Sequence, residues 1–199
     1  MSDFTGFVLV GGKSSRMGED KFALQFRGKS FLENAVAALS EVCETRVKLV
    51  LNQSQTIETE LPFVRDIYEK RGALGAIHAA LQNCETKFAV VLAVDLPLVD
   101  ANVIEKLAGF ALSSNKFLAS VPRQTDGRIQ PLCAVYRAKY CLPTLERLME
   151  ENATASPRDF LELVNTRYIP QQNLSADTEQ DIFFNVNTPT EYERIVDNR

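Results

Sequence analysis

Five short apolar runs, at residues 7–10, 46–51, 88–93, 117–121 and 132–136, are separated mostly by stretches of helical character such as 74–83 and 102–112. A strand that is apolar on both alternating faces needs cover on both sides, which crossover helices between parallel strands provide. Ser30-Phe31-Leu32-Glu33 is a capping box, in which Ser and Glu each satisfy a free backbone N–H, and it opens a helix expected to bury Leu32, Val36 and Leu39. Thr188-Pro189-Thr190-Glu191 combines an N-cap, a proline at the first helical position and a capping-box glutamate, so a last helix runs toward Val196. The alternation predicts an α/β fold with an open, mostly parallel sheet flanked by helices, whose ligands collect at the carboxyl ends of the strands. With no repeat or linker in 199 residues, the expectation is one domain over 1–199. Residues 170–178 are the least patterned and read as a mobile loop near the site.

The 45% hydrophobic content supplies a sizeable core, and the formal net charge of -4 argues against a nucleic-acid binder, which needs surplus Lys and Arg on one face. Any phosphate site must be local. The start, Met1-Ser2-Asp3-Phe4, lacks the basic and long apolar stretches of a signal peptide, and no run reaches membrane-spanning length. Cys43, Cys84, Cys133 and Cys141 have neither CxxC spacing nor disulfide-scaffold density, so reduced thiols in a cytoplasmic protein are expected. The Asn-x-Ser/Thr triplets at Asn52, Asn152 and Asn173 are then accidental.

The first run ends in Leu9-Val10-Gly11-Gly12-Lys13-Ser14-Ser15-Arg16-Met17-Gly18-Glu19-Asp20-Lys21, with glycines, hydroxyls and cations directly after a strand. Glycines let backbone N–H groups approach phosphate oxygens, and Arg16 and Lys21 offset the charge that grows during phosphoryl transfer. The spacing of Gly11, Gly12 and Gly18 is not GxGxxG, and Gly28-Lys29-Ser30 fails as a P-loop because Ala23 stands where its leading glycine belongs. A second signal is residues 90–97, an apolar strand ending in Asp95 followed by Leu96-Pro97. A carboxylate there suits Mg²⁺, which bridges one or two protein oxygens to substrate phosphates; the bland alternative is a helix cap. The single histidine, His78, falls in a helical stretch with no second histidine, cysteine pair or nearby acid in sequence, and reads as structural.

The stretch from Leu9 to Lys21 resembles the GG-x-S-x-R-M-G-x-D-K signature of the molybdenum cofactor guanylyltransferases (MobA) and their relatives, matching every signature position. Asp95-Leu96-Pro97 is similar to the family's C-D-x-P motif, with Val94 where Cys is frequent. Residues 130–136, Gln-Pro-Leu-Cys-Ala-Val-Tyr, look like its Q-P-L-x-A-L-Y strand, and Asn185-Val186-Asn187-Thr188-Pro189 matches its N-V-N-T-P closing motif. The resemblance implies a Rossmann-like nucleotidyltransferase fold. It further implies GTP contacts at Leu9, Val10, Gly11, Gly12, Lys21, Asn52, Asp66 and Asp95, catalytic roles for Arg16, Lys21 and Asp95, and Mg²⁺ held by Asp95 and Asn187. Without it, Asn52, Asp66, Asn185 and Asn187 read first as strand-end turn residues. Gly72-Ala73-Leu74-Gly75 reads either as the family's G-P-L-x-G turn beneath the base or as a helix start.

The implied reaction is attack of the terminal phosphate of molybdopterin on the α-phosphorus of GTP, giving the guanine dinucleotide cofactor and pyrophosphate. Since the attacker is already an anion, catalysis is positioning plus electrostatics. Basic residues such as Arg16, Arg123 and Arg128 are available to the acidic pterin. Two alternatives stay open, a sister enzyme using CTP and a non-catalytic nucleotide-binding or cofactor-delivery protein. Transient contacts with cofactor carriers or molybdoenzymes are expected from the resemblance, whereas no membrane or nucleic acid is.

Overall fold

The computed structural model describes residues 3–11, 21–68, 70–175 and 181–197. Its centre is β1 (Phe4–Leu9), buried along its whole length. Strand β1 pairs in parallel with β4 (Val47–Leu51) on one side and β6 (Phe88–Ala93) on the other. Beyond β4 lies β5 (Phe63–Arg65), also parallel. On the far side come β8 (Cys133–Arg137), antiparallel to both neighbours, then β7 (Ala119–Arg123) and β9 (Thr166–Pro170). The seven-stranded order is β5-β4-β1-β6-β8-β7-β9, and a small hairpin, β2 (Gln25–Phe26) with β3 (Lys29–Ser30), stands apart. The expected open, mostly parallel sheet is therefore present.

Side chains alternate across the sheet and feed two cores. Val8, Leu49, Val90 and Leu92 pack with α1 (Phe31–Cys43), α3 (Ala101–Leu112) and α6 (Pro189–Asp197). Phe7, Leu9, Val50 and Val91 face α2 (Ala73–Gln82), α4 (Ala138–Glu151) and α5 (Pro157–Leu163). Among the described residues, no helix is long and apolar enough to cross a membrane.

The Ser30–Glu33 capping box forms as expected, with Oγ of Ser30 accepting from Glu33 N at 3.1 Å and a Glu33 carboxylate oxygen accepting from Ser30 N at 2.6 Å. The buried face of α1 is rotated from the expected one: Phe31, Ala35, Ala38 and Leu39 go inside, while Leu32 and Val36 are only half-buried. Phe31 at the first helical position sets this, because the spacing 31, 35, 38, 39 makes a complete helical stripe. Residues 170–175 also differ from the loop expected: Pro170 ends β9, Gln171–Asn173 forms a 3-10 turn, and Leu174 is wholly buried with its carbonyl accepting from Lys106 Nζ at 3.1 Å. Residues 176–178 lie outside the described residues.

Register places the carboxyl ends of four strands level. Leu9 stands opposite Val50 and Ala93, and Leu51 opposite Arg65. The next residues along each chain, Val10 and Gly11, Asn52, Asp66, and Val94 with Asp95, thus emerge along one edge, where β1 sends its crossover one way and β6 lies on the other side.

Candidate active site

That edge opens into a cleft of about 750 Å³ whose lining includes Leu9, Gly11, Lys21, Asn52, Asp66 and Asp95. The register and the helices that return over both faces bring together residues scattered over most of the chain. Arg16 and Gly12 lie outside the described residues.

Asp95 follows β6 by two residues, and its backbone is tied on both sides: Val94 N donates to Leu9 O at 3.1 Å, and Val186 N donates to Asp95 O at 3.0 Å. The second bond brings the closing segment, with Asn185 and Asn187, against the strand end. Lys21 Nζ donates to Asn187 Oδ1 at 2.6 Å and stands 3.9 Å from Asp95 Oδ2. A cation is therefore already seated between the acid and the amide oxygen. Burial raises the Asp95 carboxyl above its ordinary range; the Lys21 ammonium and then the Asn185 amide oppose this, and Glu191 adds to it. Asp95 Oδ1 is buried with no hydrogen-bond partner among the described residues. A buried carboxylate oxygen without a donor is costly.

Asn187 is held from behind. Thr188 Oγ1 accepts from Glu191 N at 3.3 Å, as the capping pattern predicts, but the Glu191 carboxylate accepts from Asn187 N at 2.7 Å. The carboxylate thus reaches one residue beyond the expected N-cap and fixes the peptide that carries the Asn187 side chain.

At the β1 end, Gly11 leaves space for Asn52: a Cβ on Gly11 would stand 2.6 Å from Asn52 Oδ1, inside any allowed contact. The Asn52 turn is clamped by Arg65, whose Nη1 donates to the carbonyls of Asn52, Gln53 and Gln55 at 2.8, 3.0 and 3.0 Å. Gln55 Nε2 reaches back to Val10 O at 3.4 Å. Asn52 is accordingly a turn residue and a cleft residue at once. Gly11→Ala should displace Asn52 while leaving the β1 core intact, reshaping the cleft with a small change in melting temperature; thermal melting together with chemical shifts of the Asn52 side-chain amide checks this.

Asp66 stands beyond β5, buried, its N donating to Leu51 O at 2.8 Å and its Oδ1 accepting from Tyr68 N at 2.8 Å. Its carboxyl group lies against the first turn of α2, where a Cβ on Gly75 would come within 2.8 Å of the carboxyl carbon. Burial raises the Asp66 carboxyl, and the Tyr68 N–H works against that. The 72–75 segment is both a helix start, with Gly72 as N-cap, and part of the cleft lining.

His78 is buried and packs edge-on to Tyr68 with centroids 4.7 Å apart. Its Nε2 is 3.3 Å from Glu146 Oε1, so an acid absent from its sequence neighbourhood stands near it in space. Among the described residues no three of His, Cys, Asp and Glu are grouped to hold a metal. Arg128 is bound to Asp126 at 2.6 Å and lies 3.5 Å from Asp181, and Arg123 is stacked over Tyr168 at 4.3 Å.

The MobA-like NTP transferase domain matches residues 6–171. The chain belongs to the MobA-like NTP transferase family. Among its members, "Probable molybdenum cofactor guanylyltransferase" of Geobacillus sp. (strain WCH70) is 31% identical, covering 98% of this chain and 100% of that protein. The protein of the same name from Pelotomaculum thermopropionicum (strain DSM 13744 / JCM 10971 / SI) is also 31% identical, covering 96% and 91%. In structure, molybdopterin-guanine dinucleotide biosynthesis protein A from Archaeoglobus fulgidus superposes with a TM-score of 0.79 at 28% identity, covering 98% of this chain and 97% of that one. In this MobA-like chain the residues missed by sequence reasoning are those that hold others: Arg65 under the Asn52 turn, Glu191 behind Asn187, and Tyr68 beside Asp66. Arg65 closes a short edge strand and acts through backbone carbonyls, so no side-chain motif signals it.

Proposed function

We propose that this protein transfers GMP from GTP to the terminal phosphate of molybdopterin, as a cytoplasmic molybdenum cofactor guanylyltransferase. The observation that carries the reading is the seating of Lys21 between Asp95 and Asn187 at the head of a cleft that runs past Gly11 and Asn52 to Asp66. The names of the relatives support the substrate class, and the strand-end cleft supports binding there.

In this reading the nucleoside lies along the β1, β4 and β5 ends, with Asn52 and Asp66 offering polar groups to it and Leu9, Val10 and Gly11 supplying backbone. Its phosphates point toward Lys21. The buried, unpartnered Asp95 Oδ1 would offer an oxygen to Mg²⁺, and the Asn187 side-chain oxygen, which here accepts from Lys21, would join it once Lys21 turns to the phosphates. When bound there, the ion supplies charge compensation to the transferring phosphoryl group. Lys21 holds the leaving pyrophosphate, and Glu191 keeps Asn187 facing the acid. Both substrates are anions, so Lys21, together with Arg16 by the resemblance, keeps them from repelling one another.

Equilibrium titration tests the nucleotide assignment. With magnesium present, GTP should bind at least about tenfold more tightly than CTP or ATP, and Asn187→Ala should remove the dependence of that binding on magnesium. CTP preference would assign the sister reaction, and indifference among the three bases would contradict a guanylyltransferase.

A further inference from the structure

Two glutamines are buried at the far side of the sheet edge, Gln130 at the head of the Gln-Pro-Leu motif and Gln124 just beyond β7, only 8% and 5% exposed. Backbone bonds fix both: Gln124 N donates to Arg128 O at 2.8 Å, and Gln130 N donates to Pro122 O at 3.0 Å. Their side chains form one directed chain. Gln130 Nε2 donates to Gln124 Oε1 at 2.7 Å, and Gln124 Nε2 donates to Asp181 Oδ1 at 2.9 Å. The direction is dictated, because a carboxylate only accepts, so Gln124 must turn its NH₂ to Asp181 and its oxygen to Gln130. In a buried setting such a chain is strong when complete and costly when one link is lost.

Asp181 starts the closing segment. Its Oδ1 also accepts from Phe183 N at 3.2 Å, and its carbonyl accepts from Phe184 N at 2.9 Å. Phe183 and Val186 are wholly buried, and Val186 N is bonded to Asp95 O. The next residue, Asn187, receives Lys21. We infer that Gln124 and Gln130 are positioning residues: their amide chain anchors the 181–187 segment and so sets Asn187 relative to Asp95 and Lys21. This assigns the motif glutamine to alignment of the site through the protein rather than to contact with either substrate. The kinetic consequence rests on the proposed transfer reaction, and the geometric consequence does not.

Gln124→Glu is nearly isosteric, still accepts from Gln130, and sets a carboxylate against Asp181. Asp181→Asn keeps the Oδ1 acceptor and therefore the chain, losing only the long, exposed contact with Arg128. Gln130→Met removes the outer link without adding charge, and serves if Gln124→Glu does not fold. The expected result for Gln124→Glu is amide hydrogen exchange at Val186 and Asn187 accelerated about tenfold or more, with β1 and β6 amides unchanged. Its kcat should fall about tenfold while the KM for GTP stays within about twofold, since a displacement of a fraction of an ångström acts on alignment. Gln130→Met should shift both in the same direction by less, and Asp181→Asn should resemble wild type. Unchanged exchange at 183–187 in Gln124→Glu, or in Gln130→Met where that variant stands in, would overturn the inference, as would Asp181→Asn behaving like Gln124→Glu. A wild-type protein that releases no pyrophosphate would count against the transfer reading and leave the exchange result to decide the anchoring.

Discussion

Asp95→Asn should lower pyrophosphate release by about a hundredfold or more without lowering the melting temperature. The loss follows from removing the carboxylate that stands 3.9 Å from the Lys21 ammonium, since an amide does not offer two anionic oxygens to a hard cation. The stability result follows from burial. The folded-state pKa of Asp95 is raised, so the fold favours the protonated form; its contribution to stability is fully present below the unfolded carboxylate pKa and is lost as pH rises through the folded one. At neutral pH the ionised group therefore costs stability, and a neutral isostere relieves that cost. Thermal melts from acid to neutral pH should show the melting temperature of the variant rising relative to that of wild type as pH increases. A fall in melting temperature equal to that of a core truncation would show Asp95 to be structural.

Lys21→Met should reduce kcat by roughly a hundredfold through loss of the ammonium that meets the phosphates, with Lys21→Arg recovering part of it. The effect on Asp95 gives this variant a second signature. The Lys21 ammonium is the largest influence holding the Asp95 carboxyl down against burial, so its removal lets that carboxyl rise further. The acid limb of the pH–rate profile should then move to higher pH in Lys21→Met, and stay near the wild-type position in Lys21→Arg. A hundredfold loss with an unmoved acid limb would mean that Lys21 acts on substrate alone, without coupling to Asp95.

Much of this arrangement was legible in the sequence because burial writes itself into composition. The runs at 88–93 and 132–136 are apolar on both faces because the strands there are covered on both faces, 46–51 keeps that pattern apart from Arg46 and the half-buried Lys48, and the ends of all three differ from the observed strands by at most a residue. The edge strands left no such trace. Phe63–Arg65 is short and largely exposed, and Thr166–Pro170 is mostly half-buried, so neither carries an apolar pattern. Helix α4 carries Pro143 in its second turn, which interrupts the helical signal. The meeting of Lys21, Asp95 and Asn187 could be named from motifs, but not the distances, because these depend on Val186 pairing with the Asp95 carbonyl and on Glu191 reaching past its own cap. Gln124 belongs to no motif; its role exists only through Asp181, whose place in space depends on the path of the chain after β9.

Guanylyl transfer is tested most directly by movement of label from [α-³²P]GTP to molybdopterin by the purified protein with magnesium, followed alongside pyrophosphate release, with CTP and ATP compared and Asp95→Ala as the control. Label should move to the pterin from GTP with stoichiometric pyrophosphate, CTP and ATP should give little, and the Asp95→Ala protein should give none. Tight GTP binding with no label transfer would contradict guanylyl transfer and identify a nucleotide-binding protein that carries no transfer chemistry.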